Sequence, residues 1–208
     1  MKKVFIMNPS VWALLDEFKT YLLDSDIENN NDHIRGDDPD WYTSLDYLKT
    51  IENPDHDGFP ESSHSYCLKP QHRPLDKDYL KCYNDINDRL SIELGVHYSA
   101  LSQMYPPNGY IGWHTNENAT GHNLIFTWSE TGDGYFEYKD PKDGKIIRMN
   151  DEVGWTCKAG YFGLRKDNEH VYHCARTNCR RITLSYMIPV REVDTEWWQE
   201  CIDHIQRG

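Results

Sequence analysis

Two histidines that lie far apart in the chain, His114 and His173, have the surroundings expected of metal ligands. Asn116 follows His114 by two positions, His173 lies 59 residues after His114, and Arg181 follows His173 by eight positions. A mononuclear iron site takes two imidazoles and one carboxylate on one face of the ion, and leaves positions open for a chelating cosubstrate and oxygen. Residues i and i+2 can both turn toward one ion where a strand ends. The spacing therefore predicts an iron site to which His114 and His173 contribute.

The residues after Arg181 predict an anion-binding wall beside that site. Thr183 and Ser185 share the face of Arg181 in a strand, because side chains alternate with a period of two. Arg180 would point to the opposite face, so Arg181 is the favoured candidate. A guanidinium presents a planar fork of donors that suits a carboxylate, and a neighbouring hydroxyl adds another donor. The run predicts a pocket for the far end of a dicarboxylic acid.

The half of the chain that carries these residues has the pattern of short strands separated by tight turns. Turn residues occupy 106–109, 131–134 and 141–144. The expected strands are 97–105, 110–115, 122–129, 135–139, 145–149, 160–164, 169–174 and 180–188. About eight short strands of this kind are typical of a jelly roll or a related double-sheet sandwich. The predicted fold class is α+β, with a double-stranded β-helix (jelly-roll, cupin-like) core flanked by N-terminal and C-terminal helices.

Helical patterns flank the strands, with apolar residues recurring at helical spacing. The predicted helices cover 11–22, 41–51, 75–94 and a segment after Asp194. Ser10 is the expected N-cap of the first helix, and Gly95 is expected to end the third. These helices most simply pack on the outside of the larger sheet and so position the strands.

The remaining segments have little regular spacing. We expect a short strand at 1–7, a solvated acidic loop at 24–40, and a long loop at 52–74 that forms a rim or a lid. No linker or internal repeat divides the sequence, so we expect a single domain. The predicted domain covers residues 1–208. Within it, helices and loops at 1–95 support the core and form a lid, the jelly-roll core occupies 96–190, and a C-terminal helix occupies 191–208.

The composition limits the classes of partner. The 208 residues are 38% hydrophobic with a formal net charge of -12, which is typical of a folded globular protein. The negative charge disfavours a DNA duplex or an anionic membrane, and no apolar run approaches the ~20 residues of a membrane span. We expect a cytoplasmic, soluble protein with no duplex nucleic acid and no membrane as partner. Its six scattered cysteines are expected to be free thiols or ligands.

Over residues 97–188 the motifs resemble those of the 2-oxoglutarate and iron(II)-dependent oxygenase superfamily, on its prolyl-hydroxylase-like and nucleic-acid-demethylase-like side. In that family a Tyr stands nine positions before the first metal-binding His, and a polar residue stands two before the Tyr. Tyr105 and Gln103 match these positions. The Arg-x-Thr/Ser-x-Ser/Thr run of the last core strand matches 181–185, and the Gly-x-Phe strand before the second His is similar to 160–162.

The resemblance implies a dioxygenase that uses iron(II) as cofactor and 2-oxoglutarate as cosubstrate. The implied reaction uses O2 to hydroxylate an unactivated C–H bond of a protein side chain or a small metabolite, with release of succinate and CO2. The implied metal ligands are His114, Asn116 and His173, and the implied catalytic set adds Arg181. The implied contacts to 2-oxoglutarate come from Arg181, Thr183, Ser185, Tyr105 and Gln103.

Asn116 departs from the family pattern, which has Asp or Glu at this position. An amide oxygen is neutral and a weaker metal donor than a carboxylate. Three interpretations stay open: Asn116 ligates weakly, Glu117 or another acid replaces it, or the position is left for a small anion, as in halogenating members of the family. An engineered exchange of Asp for Asn and a catalytically impaired protein that only binds its ligands also stay open.

A different class of protein is the main alternative to an enzyme. A zinc-binding module would use two His and two Cys within ten residues, at His170, His173, Cys174 and Cys179. His170 also competes with His173 for the distal iron position, although the spacing to Arg181 favours His173. Among the other polar residues, His122 and Asn123 could line the pocket, and a structural role is favoured for His122.

Overall fold

The computed structural model describes residues 1–25, 34–35, 37–53, 56–69, 77–96, 98–116, 120–163, 169–189 and 196–208. It confirms a mixed architecture of helices and strands. The helices are α1 (Pro9–Asp24), α2 (Pro39–Tyr42), α3 (Leu45–Ile51), α4 (Lys77–Leu94) and α5 (Trp197–Gln206). The strands are β1 (Lys2–Val4), β2 (Ile34–Arg35), β3 (Ser63–Cys67), β4 (Tyr98–Tyr105), β5 (Tyr110–His114), β6 (Gly121–Ser129), β7 (Gly134–Lys139), β8 (Ile146–Asn150), β9 (Gly154–Phe162), β10 (His173–Thr177) and β11 (Arg181–Pro189).

Helix α1 begins with a different cap from the one that the sequence suggested. The Oδ1 of Asn8 accepts hydrogen bonds from the backbone N–H groups of Ser10 at 2.9 Å and Val11 at 3.3 Å. Pro9 occupies the first helical position, where no N–H donor is needed. The prediction of Ser10 as N-cap is therefore wrong, because Pro9 is itself the first helical residue and the cap lies before it.

Helices α1, α4 and α5 bury the apolar stripes that their spacing predicted. Gly95 ends α4 with a φ of +67°, a conformation that glycine adopts without steric cost. Leu75, which was expected on the α4 stripe, lies outside the described residues. Within the described ranges, none of the helices has the length and apolar content needed to cross a bilayer. The buried side chains are Val11, Leu15, Phe18, Leu22, Tyr79, Tyr83, Ile86, Leu90, Leu94, Cys201, Ile202 and Ile205.

The described strands pair antiparallel in one curled sheet. Its order is β1-β9-β6-β11-β4-β3-β5-β10-β7-β8, and β2 pairs with β3. We call β1, β9, β6, β11 and β4 the major half, and β5, β10, β7 and β8 the minor half. Strand β3 pairs with β4 on one side and β5 on the other, so it joins the two halves.

The two faces of the major half have different partners. Ile182 and Leu184 of β11 pack in the large apolar cluster under the helices. Arg181, Thr183 and Ser185 of the same strand face the interior between the two halves. An inner apolar cluster contains residues from both halves, which shows that the two inner faces meet. Its buried members are Ile125, Phe136, Tyr138, Phe162, Val171 and Ala175.

The segment 52–74 contains a strand that the sequence did not indicate. Strand β3 has the sequence Ser-His-Ser-Tyr-Cys, which lacks the apolar alternation of a recognisable strand. Tyr66 pairs with Met104, and Ser63 pairs with Ile111. The segment is thus part of the sheet rather than only a loop, because its backbone pairs on both sides.

Two strands of the core have different bounds from the expected ones. The strand expected at 160–164 is β9, which begins at Gly154 because its earlier residues already pair with β6 along their length. The strand expected at 169–174 is β10, which begins at His173, where pairing with β5 and β7 starts. These shifts place His173 at the first residue of its strand.

Candidate functional site

His114 and His173 lie opposite each other in the minor half. His114 is the last residue of β5 and His173 is the first residue of β10, and the two are paired across the antiparallel ladder. Their ring centroids are 4.1 Å apart. Both residues are buried, and both line a cavity between the two halves of the sheet. The fold therefore brings together two imidazoles that are distant in the sequence.

Both imidazoles are oriented by the backbone carbonyl two residues before them in the chain. The Nδ1 of His114 lies 2.8 Å from the carbonyl oxygen of Gly112, and the Nδ1 of His173 lies 2.9 Å from that of Val171. A carbonyl oxygen can only accept, so we assign the proton to Nδ1 and the lone pair to Nε2 in each ring. Metal-binding histidines commonly donate their other N–H in this way.

Burial keeps both imidazoles neutral. Burial, together with repulsion from His56, lowers the pKa of His114 to about 4, although the backbone carbonyl of Gly112 opposes the shift. Burial also lowers the pKa of His173, and the neighbouring His114 adds to the effect. Neutral rings with an unprotonated Nε2 are the form in which histidine binds a metal ion.

The donor set at this position fits an iron(II) ion with an amide as third ligand. Asn116 follows the end of β5 and lines the same cavity as the two histidines. Within the described ranges, no cluster of three or more His, Cys, Asp or Glu residues could hold a metal ion. Glu117, the expected alternative donor, lies outside the described residues. Two imidazole nitrogens and an amide oxygen are chemically suitable for iron(II) but supply no negative charge.

Arg181 presents its guanidinium to the same cavity. Its Nε donates to Oδ2 of Asp151 at 2.8 Å, and its Nη1 donates to Oγ1 of Thr183 at 2.7 Å. Only 2% of the Arg181 residue is exposed to solvent. These two hydrogen bonds fix the plane of the guanidinium, and the described residues leave Nη2 without a protein acceptor.

Sequence reasoning missed two charged residues next to Arg181. Asp151 follows β8 and also accepts a hydrogen bond from Nζ of Lys158 at 3.0 Å through its Oδ1. Lys158 lies on β9 between Cys157 and Ala159, both of which pack in the large apolar cluster. Strand alternation thus turns Lys158 inward, and an inward lysine needs a buried acid. That alternation was the available sequence signal.

The cavity has a volume of about 290 Å³ and brings the remaining predicted residues together. Tyr105 pairs with Arg181 in the ladder, and burial raises its pKa to about 12, so its hydroxyl keeps its proton. Gln103 lines the cavity with its Oε1 buried and without a hydrogen-bond partner. The predicted site residues that line the cavity are Gln103, Tyr105, His114, Asn116, His173, Arg181, Thr183 and Ser185.

Other candidates from the sequence lie elsewhere, with one exception. His122 stacks on Trp198 with ring centroids 4.1 Å apart, outside the cavity. Arg180 pairs with Glu130 near the surface. Asn123 does line the cavity, where its Oδ1 accepts a hydrogen bond from Ser185 at 3.2 Å.

The alternative of a zinc cluster is contradicted by the positions of its four residues. Cys174 is adjacent to His173 in β10, so its side chain points to the other face, where it packs with Trp113. Cys179 follows the far end of β10 and has Ser129 Oγ 3.3 Å from its sulfur. Strand β10 therefore separates Cys179 from the other three, and the four do not form a group that could hold a metal ion.

No family model and no curated protein matches this sequence. Among solved structures, a prolyl-4-hydroxylase from Pseudomonas putida is 12% identical, with a TM-score of 0.42, over 89% of this chain and 91% of that one. An auxin dioxygenase from rice is 12% identical, with a TM-score of 0.36, over 85% and 69%. A collagen prolyl hydroxylase from Paramecium bursaria Chlorella virus-1 is 8% identical, with a TM-score of 0.30, over 72% and 94%. These identities and TM-scores are too low to transfer an activity.

Proposed function

We propose that this protein is a non-haem iron(II), 2-oxoglutarate-dependent dioxygenase that hydroxylates an unactivated C–H bond of a protein side chain or a small metabolite, with release of succinate and CO2. The observation that carries the proposal is that two imidazoles, each with its Nδ1 against a backbone carbonyl oxygen, and a buried guanidinium line one cavity of about 290 Å³. This arrangement can bind an ion at one end and a carboxylate at the other.

The strand order supports a double-stranded β-helix as the finer description of the fold. The eight core strands are numbered here from β4 as the first to β11 as the eighth. In the major half, the neighbouring strands β4, β11, β6 and β9 are the first, eighth, third and sixth. In the minor half, the neighbouring strands β5, β10, β7 and β8 are the second, seventh, fourth and fifth. Successive strands thus alternate between the two halves, except that β7 and β8 are paired neighbours within the minor half, as in a jelly roll.

His114, His173 and Asn116 would hold iron(II), which supplies the oxygen-activating chemistry when it is bound together with 2-oxoglutarate. The two Nδ1–H bonds to backbone carbonyls fix both rings before any ion arrives, so little ordering is needed on binding. Asn116 contributes an uncharged oxygen, which predicts weaker iron binding than a carboxylate would give.

Arg181 would bind the distal carboxylate of 2-oxoglutarate through its free Nη2. Thr183 and Asp151 already fix the guanidinium plane, so the donor is in place before the ligand enters. The hydroxyl of Tyr105 adds a neutral donor on the same wall, and Gln103 and Ser185 line it further. Apolar residues of the minor half cover the other side and exclude water from the bound acid.

The test is succinate release from 2-oxoglutarate in the presence of iron(II), with Arg181→Leu compared against Arg180→Leu. Arg180 is the neighbouring arginine, but it pairs with Glu130 near the surface. We expect Arg181→Leu to raise the 2-oxoglutarate concentration needed for half-maximal release by about ten- to a hundredfold, because a charge-assisted bond is lost. Equal requirements in the two variants would contradict the pocket assignment.

Asn116 favours a second candidate function, a protein that binds iron and 2-oxoglutarate without turning them over. The amide oxygen supplies none of the charge that a carboxylate gives to the metal. Asn116→Asp separates the candidates: tighter iron binding with gained succinate release supports an impaired site, whereas succinate release already present in the unaltered protein supports the oxygenase. Unchanged iron binding in Asn116→Asp would contradict a ligand role for residue 116.

A further inference from the structure

The charges buried beside the cavity do not balance. Arg181 and Lys158 are both cationic side chains, with exposed fractions of 2% and 3%, and Asp151 between them is fully buried. The two oxygens of Asp151 are divided between them: Oδ2 accepts from Arg181 and Oδ1 accepts from Lys158. Within the described ranges, neither cation has a second carboxylate partner.

A buried cation without a counter-ion is costly, so such groups are normally paired. In this cluster two cations share one anion, which leaves one positive charge uncompensated. Arg181 lines the cavity, whereas Lys158 does not. An anion that enters the cavity on the side of Arg181 can therefore compensate the excess charge.

Lys158 decides whether that charge is available. If Asp151 were paired with Arg181 alone, the guanidinium would already be neutralised and would offer a ligand only hydrogen bonds. Lys158 instead holds the other oxygen of Asp151 at 3.0 Å and shares its negative charge. Together the two cations hold the pKa of the Asp151 carboxyl below its usual range, although burial alone would raise it.

We propose that Lys158 is a positioning residue that neutralises Asp151 and so keeps the charge of Arg181 free for one carboxylate of the ligand. This inference rests on the proposed function and deepens it. According to this inference, the protein prefers a keto acid with a second, distal carboxylate because of Lys158, although Lys158 does not contact the ligand.

The test compares two keto acids that share the chelating end but differ at the other. 2-Oxoglutarate has the distal carboxylate, and 2-oxopentanoate has a methyl group there. Their dissociation constants are measured by calorimetry under anaerobic conditions on the iron(II)-loaded protein. Three forms are compared: wild type, Lys158→Met, and the double variant Asp151→Asn with Lys158→Met, in which the net charge of the cluster returns to that of the wild type.

We expect Lys158→Met to weaken 2-oxoglutarate binding about tenfold and to leave 2-oxopentanoate unchanged, because one buried charge near the carboxylate is removed. The double variant should recover most of the loss. A merely structural role for Lys158 would weaken both acids alike.

Two results would overturn the role of Lys158: an unchanged ratio of the two affinities in Lys158→Met, or a double variant that binds no better than Lys158→Met. Both results bear on Lys158 when the wild-type protein itself binds 2-oxoglutarate more tightly than 2-oxopentanoate. A wild type without that preference would contradict the proposed function itself, so the two failures are distinguishable. Thermal unfolding of each variant verifies that it is folded, and Lys158→Met still contains the balanced pair of Arg181 and Asp151.

Discussion

Asp151→Asn should be among the most destabilising single exchanges of a polar residue in this protein. The substitution keeps the shape of the side chain and removes the one charge that two buried cations share. Breaking a buried ion pair by removal of one partner typically costs about 3–5 kcal/mol, because the remaining charge is left uncompensated. For a protein of this size, ~1 kcal/mol corresponds to roughly 2–4 °C in melting temperature. The expected decrease is therefore about 6–20 °C.

The matched control is Glu130→Gln, which removes the acid partner of Arg180 near the surface. Exposed pairs contribute about 0–1 kcal/mol, so this variant should melt within a few degrees of the wild type. Adding Lys158→Met to Asp151→Asn removes one of the two unpaired cations and should restore part of the lost stability. Thermal unfolding at pH 7 measures all of these variants.

The pH dependence supplies an independent check on the same residue. The pKa of Asp151 in the native protein lies below the ordinary value of 3.8, because its two cationic partners outweigh the effect of burial. Its contribution is therefore fully present above pH 3.8 and is lost as the pH falls through the native pKa. Wild type and Asp151→Asn should thus differ most near neutral pH and converge in acid. If Asp151→Asn melts together with Glu130→Gln at pH 7, the described cluster is refuted.

Three further experiments test other parts of the structure. Asn8→Ala should cost about 1 kcal/mol in urea unfolding and Ser10→Ala much less, because only Asn8 caps α1; equal costs would contradict the cap. Gly134→Ala should cost about 1–3 kcal/mol in the same assay, since its Cβ would lie 2.7 Å from Oδ2 of Asp151, and a neutral result would refute that packing. Hydroxyl groups that hydrogen-bond to the sulfur of Cys179 lower the pKa of its thiol to about 7, although burial opposes this shift. The alkylation rate of this thiol, followed by mass spectrometry, should therefore reach half its maximum near pH 7. A midpoint near pH 9 would contradict this.

The sequence predicted the elements whose residues alternate strongly. Strand β11 alternates between buried apolar residues and polar ones, and this alone places Arg181, Thr183 and Ser185 on one face. The stripe of α4 and its end at Gly95 were also visible, since both depend on local spacing and on the conformational freedom of glycine. Local physical rules determine these features.

Features that depend on tertiary partners were not visible in the sequence. Strand β3 is held by backbone pairing on both sides, so its mostly polar sequence carries no periodic signal. Lys158 is stable in the interior only because Asp151, on a separate segment, accepts from it. The distance between His114 and His173 likewise depends on the register of β5 against β10, which spacing along the chain does not determine.

The most direct test of the central claim is an anaerobic titration of the metal-free protein with iron(II) and then with 2-oxoglutarate, followed by absorption spectroscopy. The account predicts one bound iron(II) per chain and a visible charge-transfer band that appears only when both are present. The band should be absent in His114→Ala and should require more 2-oxoglutarate in Arg181→Leu. Full loading of His114→Ala, or a wild type that shows no band at saturating 2-oxoglutarate, would contradict the account.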